Sequence, residues 1–111
     1  MNNMQLGKLG EDTVQSYLEQ KGYKILCRNY RCRGGEIDII ASKGADLHFI
    51  EVKTRNGSLF GHPAESVTKE KKKHIKAAIS SYLSQWPGSL WKAAPMQMDV
   101  VEVEINHLEN V

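Results

Sequence analysis

The stretch "IDIIASKGADLHFIEVKT", residues 37–54, constrains the fold of this chain more than any other. Two apolar runs rich in strand formers flank Lys43-Gly44-Ala45-Asp46, a composition that reads as two β-strands joined by a tight turn. Phe49, Ile50 and Val52 stand nearly side by side, which predicts a strand buried on both faces and so a sheet covered above and below. Asp38, Glu51 and Lys53 interrupt that apolar pattern where the core should be.

A turn centred between Gly44 and Ala45 places Asp38 opposite Glu51, and directly opposed residues have Cβ atoms only ~4.5–5.5 Å apart. The side-chain period of two then sets Lys53 on the face of Glu51. Glu36 opposes Lys53 by the same parity if pairing persists to the strand end, where twist and Gly34-Gly35 can break it. Two carboxylates ~5 Å apart repel by about 3 kcal/mol at an effective dielectric near 20, out of the roughly 5–15 kcal/mol that stabilises a domain. Lys53 neutralises part of this. A hard divalent cation held by carboxylate oxygens does so more fully, and Mg²⁺ typically takes one or two carboxylates with waters and a substrate phosphate. The competing account is a salt-bridged hairpin facing solvent.

The rest of the chain supplies the covering layers. Leu6, Leu9, Val14, Tyr17 and Leu18 recur at helical spacing over residues 5–21, and Gly22 follows where a C-terminal cap belongs. Residues 23–32, "YKILCRNYRC", read as a strand that "RGG" ends. Residues 54–66 hold two Gly, a Pro and an Asn without periodicity and read as a surface loop. A second helix is expected over residues 68–86, capped by Thr68 and stopped by Pro87-Gly88, with Ile75, Ala78, Ile79, Tyr82, Leu83 and Trp86 as its apolar stripe and Lys69, Lys72, Lys73 and Lys76 off it. "MQMDVVEVEI", residues 96–105, alternates like a half-exposed strand, and residues 106–111 are expected to fray. The expectation is one α/β domain over residues 1–111, ordered α-β-β-β-α-β.

At 111 residues the chain is long enough for one core and short for two. No apolar run approaches the roughly 18 residues of a membrane span, and "MNNMQLGKLGED" lacks a signal-peptide core, so a cytoplasmic protein is expected. Cys27 and Cys32 are then free thiols, small strand residues rather than half of a zinc site, which needs four ligands. The net charge of +2 hides an asymmetry: from Lys21 to Lys76 there are 13 Lys and Arg against 6 Asp and Glu, while the remainder has 2 against 7. A basic middle suits a polyanion, although solvated helix faces also collect lysines.

Asp38 followed by Glu51-Val52-Lys53 resembles the PD-(D/E)XK nuclease signature. The ordered set "GKLGEDTVQSYLEQKGY", "NYRCRGGEIDIIA", "FIEVKTR" and "FGHPAESV" resembles, over about Gly7 to Val101, the YraN-like family of small bacterial proteins, which is similar in turn to archaeal Holliday-junction resolvases. The resemblance implies a restriction-endonuclease-like mixed central sheet flanked by helices. It implies Asp38 and Glu51 as ligands of Mg²⁺ or Mn²⁺, the Val52 carbonyl as a third, Lys53 orienting the attacking water, and Glu11 as an additional carboxylate. The chemistry implied is phosphodiester hydrolysis of DNA, branched or structured, with a symmetric homodimer because a four-way junction needs two cuts. Two departures stand out: Ile37 occupies the place of the motif's proline, and Gln97-Met98-Asp99 lacks the arginine and aromatic expected before that Asp, leaving Asp99 a structural role.

Arg28, Arg31, Arg33 and Arg55, with Lys69, Lys72, Lys73 and Lys76, are the expected grip on a nucleic-acid backbone. His62 is read as exposed, His48, His74 and His107 show no partner in the sequence, and Trp86 and Trp91 are read as packing residues. Two other readings remain at this point: a non-catalytic nucleic-acid-binding or scaffold protein of DNA processing that keeps the fold, and a metal-binding protein without nucleic acid.

Overall fold

The computed structural model describes residues 2–56, 68–85 and 95–111. Its elements are α1 (Asn3–Gln20), β1 (Lys24–Cys32), β2 (Gly35–Lys43), β3 (Asp46–Asn56), α2 (Lys69–Ser84) and β4 (Met96–Ile105). One sheet runs β1-β2-β3-β4, with β1–β2 and β2–β3 antiparallel and β3–β4 parallel, so α2 lies on the crossover between the parallel pair. This mixed sheet flanked by helices is consistent with a restriction-endonuclease-like fold, in the expected element order. Neither helix among the described residues is long and apolar enough to cross a membrane.

Local chemistry sets the ends. Asn2 and Gln5 form a reciprocal capping box on α1, with the Gln5 amide donating to Asn2 Oδ1 at 2.8 Å. Thr68 caps α2 by accepting from the Lys71 amide at 3.1 Å. Gly22, just past α1, has φ +90°, the left-handed backbone that favours glycine in that place. Strand β3 continues through Thr54 and Arg55 to Asn56, three residues into the segment read as loop, because its parallel pairing extends to Asn56↔Ile105. The remainder of that loop, His62, the Pro87-Gly88 stop, Trp86 and Trp91 lie outside the described residues.

Both faces of the sheet are covered, as the run Phe49-Ile50 requires. Ile40, Leu47 and Phe49 pack with Ile75, Ala78 and Tyr82 of α2, while Ile39, Ala41 and Ile50 pack with Val14 and Leu18 of α1. Each fully buried aliphatic or aromatic side chain here contributes about 1.5–3 kcal/mol. Two glycines let the layers close. A Cβ on Gly10 would run into the Thr54 side chain, so α1 rests directly on β3. A Cβ on Gly35 would strike the His74 carbonyl oxygen and crowd the Ala78 amide, so the start of β2 lies against the backbone of α2. The Tyr30 hydroxyl and Ser81 Oγ, 2.7 Å apart, tie β1 to the same helix.

Since the atoms facing Gly35 are main-chain and cannot rotate away, Gly35→Ala is expected to destabilise the protein by about 2–3 kcal/mol in urea unfolding. A variant as stable as the parent would show that this contact opens without cost.

Candidate functional site

The β2–β3 hairpin has the register expected from its turn: Lys43↔Asp46, Ser42↔Leu47, Ala41↔His48, Ile40↔Phe49 and Ile39↔Ile50. There the ladder stops. At the next step Asp38 accepts a hydrogen bond from the Val52 amide at 2.7 Å through its side chain, taking the place of a strand backbone partner. The pairing that would set Glu36 against Lys53 therefore does not form, and Glu36 lies 3.5 Å from exposed Arg31 instead. The N–H and C=O of one strand residue point to the same side. The Val52 carbonyl thus opens on the same gap as the Asp38 carboxylate.

Beside the opening, β1 carries a backbone reversal of its own. Across from Asp38 stands Asn29, whose φ of +51° is left-handed, a conformation asparagine tolerates better than most residues. On either side the pairs Arg28↔Ile39 and Tyr30↔Ile37 are kept, but the faces exchange. Ile39 packs with the α1 cluster, whereas Ile37 and Tyr30 pack with the α2 cluster. Residues two apart on a regular strand share a face, so the alternation is reset at Asn29 and Asp38. The sequence offers one signal for this, an asparagine inside a run of strand formers.

Glu51 is 5 % exposed and follows Phe49 on the α2 side of β3. Its partner is Lys71 of α2, with Nζ 3.0 Å from Oε1. Lys71 precedes Ile75 by four residues and Ala78 by seven, so it belongs to the inward stripe of α2 rather than to its outer lysines, and helical phase alone marks it out. Burial lowers the Lys71 pKa, but the Glu51 hydrogen bond and the charges of Glu51, Asp38 and Glu36 outweigh it and raise the ammonium above its usual range.

Asp38 behaves oppositely. Burial pushes it up, the Val52 amide pulls it back, and the charge and contact of Glu51 raise it again, to about 6 despite Lys71. Asp38 and Glu51 are thus a close, half-sequestered acidic pair with the Lys71 ammonium beside them. Among the described residues no third His, Cys, Asp or Glu joins them in a metal-holding cluster. Glu11 is not brought to the pair: its carboxylate lies 3.4 Å from Arg28 Nη2, while Arg28 Nη1 donates to Asp12 at 2.8 Å and to Gln15 at 3.0 Å. Arg28 is therefore engaged with α1 rather than free for a polyanion.

Lys53 is half-buried on β3, two residues beyond Glu51, and makes no ion pair among the described residues. Arg55 stands 3.8 Å from Glu102 of β4. Arg33, Lys69, Lys72, Lys73 and Lys76 are exposed, the four lysines on the helix whose inner face holds Lys71. His48 finds the partner its sequence context conceals: Nδ1 is 2.7 Å from Asp99 Oδ2, and Gln97 donates to the other Asp99 oxygen at 2.6 Å. Asp99 thus pairs with the neighbouring strand. Cys27 and Cys32 are free, half-buried strand residues.

The raised Asp38 has a consequence for stability. Its folded pKa of about 6 lies above the ordinary 3.8, so between those values the native state holds a proton that the unfolded chain has released. This contribution to stability falls as pH rises through that window and is least favourable above it. Asp38→Asn, which keeps an acceptor for the Val52 amide, is expected to be more stable than the parent at pH 8 by on the order of 1–3 kcal/mol. Urea midpoints in chelator should show the gap closing toward pH 4; no gap at pH 8 would contradict a strained pair.

Comparison with known proteins places this chain in a family. The model of the uncharacterised protein family UPF0102 matches residues 10–103. A UPF0102 protein of Carboxydothermus hydrogenoformans is 42% identical over 118 residues, spanning 100% of this chain and 98% of the relative. One of Clostridioides difficile is 42% identical over 115 residues, spanning 99% and 98%, and one of Chlorobium phaeobacteroides is 55% identical over 82 residues, spanning 74% and 65%. With matches of that extent, the chain belongs to the uncharacterised protein family UPF0102, the YraN-like family that its motifs resemble.

Proposed function

We propose that this protein is a divalent-metal-dependent endonuclease acting on DNA, branched or structured DNA in particular, with Asp38 and Glu51 at its centre. The observation that carries the reading is the acidic pair at the opened end of the β2–β3 ladder, held close at a cost that folding alone does not require. Its similarity to the PD-(D/E)XK pattern and to archaeal resolvases supplies the reaction class.

The donor set suits a hard cation such as Mg²⁺ or Mn²⁺, being made only of oxygens: the carboxylates of Asp38 and Glu51 and the Val52 carbonyl beside them. Such a cation, when bound, supplies Lewis-acid stabilisation of charge developing on the phosphate. The Val52 amide holds Asp38 in the gap, and Lys53, on the same strand, orients the attacking water and steadies the negative charge that develops on the phosphate. Arg33 and the exposed lysines of α2 give affinity for the backbone without reading sequence. Glu11 enters this scheme only if Arg28 releases it. A homodimer and a cytoplasmic location accompany the reading as proposals.

One observation favours a second reading. The Lys71 ammonium already neutralises part of the acidic pair, so a non-catalytic nucleic-acid-binding or scaffold protein could keep this geometry without metal.

The test is a nuclease screen over linear, nicked, flapped and four-way DNA with Mg²⁺ or Mn²⁺. Cleavage is expected to need the metal and to fall about 100-fold or more in Asp38→Ala and Lys53→Ala, while salt-sensitive DNA binding survives. Salt-sensitive binding without cleavage of any substrate would favour the scaffold reading, and cleavage unchanged in Asp38→Ala would remove the assigned centre.

A further inference from the structure

Lys71 sits where a helix gains nothing from a cation. It is in the first turn of α2, capped through its own amide by Thr68, and the positive end of the helix dipole disfavours an ammonium there. It occupies the inward stripe, with 29 % of its side chain exposed, and its charge is directed at Glu51. Glu36 and Asp38 add negative charge from the β2 side.

The same side chain lines a second feature. Between the end of the β1–β2 hairpin and α2 is a cleft of about 340 Å³, bordered by Arg31, Gly35, Glu36, Lys71 and His74. Lys71 therefore stands at the boundary between the acidic pair and this cleft, its stem fixed on the helix and its ammonium 3.0 Å from a Glu51 oxygen.

A divalent ion held by Glu51 competes with that ammonium for the same carboxylate, and two cations at one carboxylate repel. We propose that Lys71 is the resident counter-ion of the Asp38–Glu51 pair, released from Glu51 when a divalent cation binds and taken up in the adjoining cleft by a phosphate of the nucleic-acid strand. This rests on the metal-site reading above and adds a coupling to it. Metal alone binds against Lys71, whereas metal and nucleic acid together bind with it. By linkage each then strengthens the other. Lys71 is a positioning residue for the metal and a phosphate ligand for the substrate.

The sign of the effect separates this role from a structural one. A lysine that merely supports the fold, or that steadies the metal ligands, would weaken metal binding when removed. Here its removal strengthens it. Calorimetric titration of the whole protein with Mn²⁺ at pH 8, without nucleic acid, should show Lys71→Met binding at least about tenfold tighter than the parent. Lys71→Gln should shift the same way and Lys71→Arg should remain near the parent. Should Lys71→Met unfold, Lys71→Gln, which keeps a donor for Glu51 without the charge, carries the test, with thermal melting as the check on folding. In the parent, Ca²⁺ should tighten binding of a catalytically idle DNA complex several-fold, and both uncharged variants should lose that gain. Mn²⁺ binding by the parent that depends on Asp38 but is unchanged or weaker in both uncharged variants overturns the counter-ion role while the metal site stands. No Mn²⁺ binding by the parent or any variant overturns both.

Discussion

Burying Glu51 is the constraint around which this structure is arranged. A carboxylate with 5 % exposure must meet positive charge or strong donors, since an uncompensated buried ion costs several kcal/mol. The fold adds a second carboxylate, Asp38, against it, and supplies one ammonium from Lys71. Burial first, and the like charge of Glu51 after it, raise the pKa of Asp38, an electrostatic imbalance that Lys71 offsets only in part. A chain needing only a stable hairpin would do better with an apolar residue at either position.

The neighbouring elements serve to keep that imbalance in place. Ladder pairing ends at Ile39↔Ile50, so the Val52 amide is released to Asp38. The positive φ of Asn29 turns the rest of the β1–β2 hairpin toward α2, where Tyr30, Gly35 and Ile37 seat it. On the other side of the sheet, Arg28 gathers Glu11, Asp12 and Gln15 and fastens α1 to β1. Glu11, which family resemblance would bring to the centre, and Arg28, read as part of the nucleic-acid grip, instead pair with one another.

Most of the framework was legible in the sequence because it is written in local periodicity. The hairpin register followed from the position of Gly44 and Ala45, and the helix limits from Thr68, Gly22 and the apolar spacing. What stayed hidden depends on contacts across the sheet or on a single backbone angle. The reversal at Asn29 is one dihedral within an otherwise regular run. The pairing of His48 with Asp99 depends on the parallel register of β3 and β4, fixed by the α2 crossover rather than by anything near either residue. Lys71 was accessible from helical phase, but a run of lysines invites the reading of a uniformly solvated face.

The two polar pairs of the sheet sharpen the assignment. His48 and Asp99 are complementary: the imidazole and Gln97 satisfy both oxygens of Asp99, and Tyr23 packs edge-on against the His48 ring at 5.0 Å. That group is closed, with its partners all within the chain. Asp38 and Glu51 are alike in charge, so contact between them raises the energy of the folded state by whatever the Lys71 ammonium leaves uncompensated. Complementary pairs hold a sheet together, and like pairs give it a reason to bind something. That distinction is why the proposed metal site is drawn at the opened end of β2–β3, where the Val52 amide meets Asp38, rather than at His48 and Asp99.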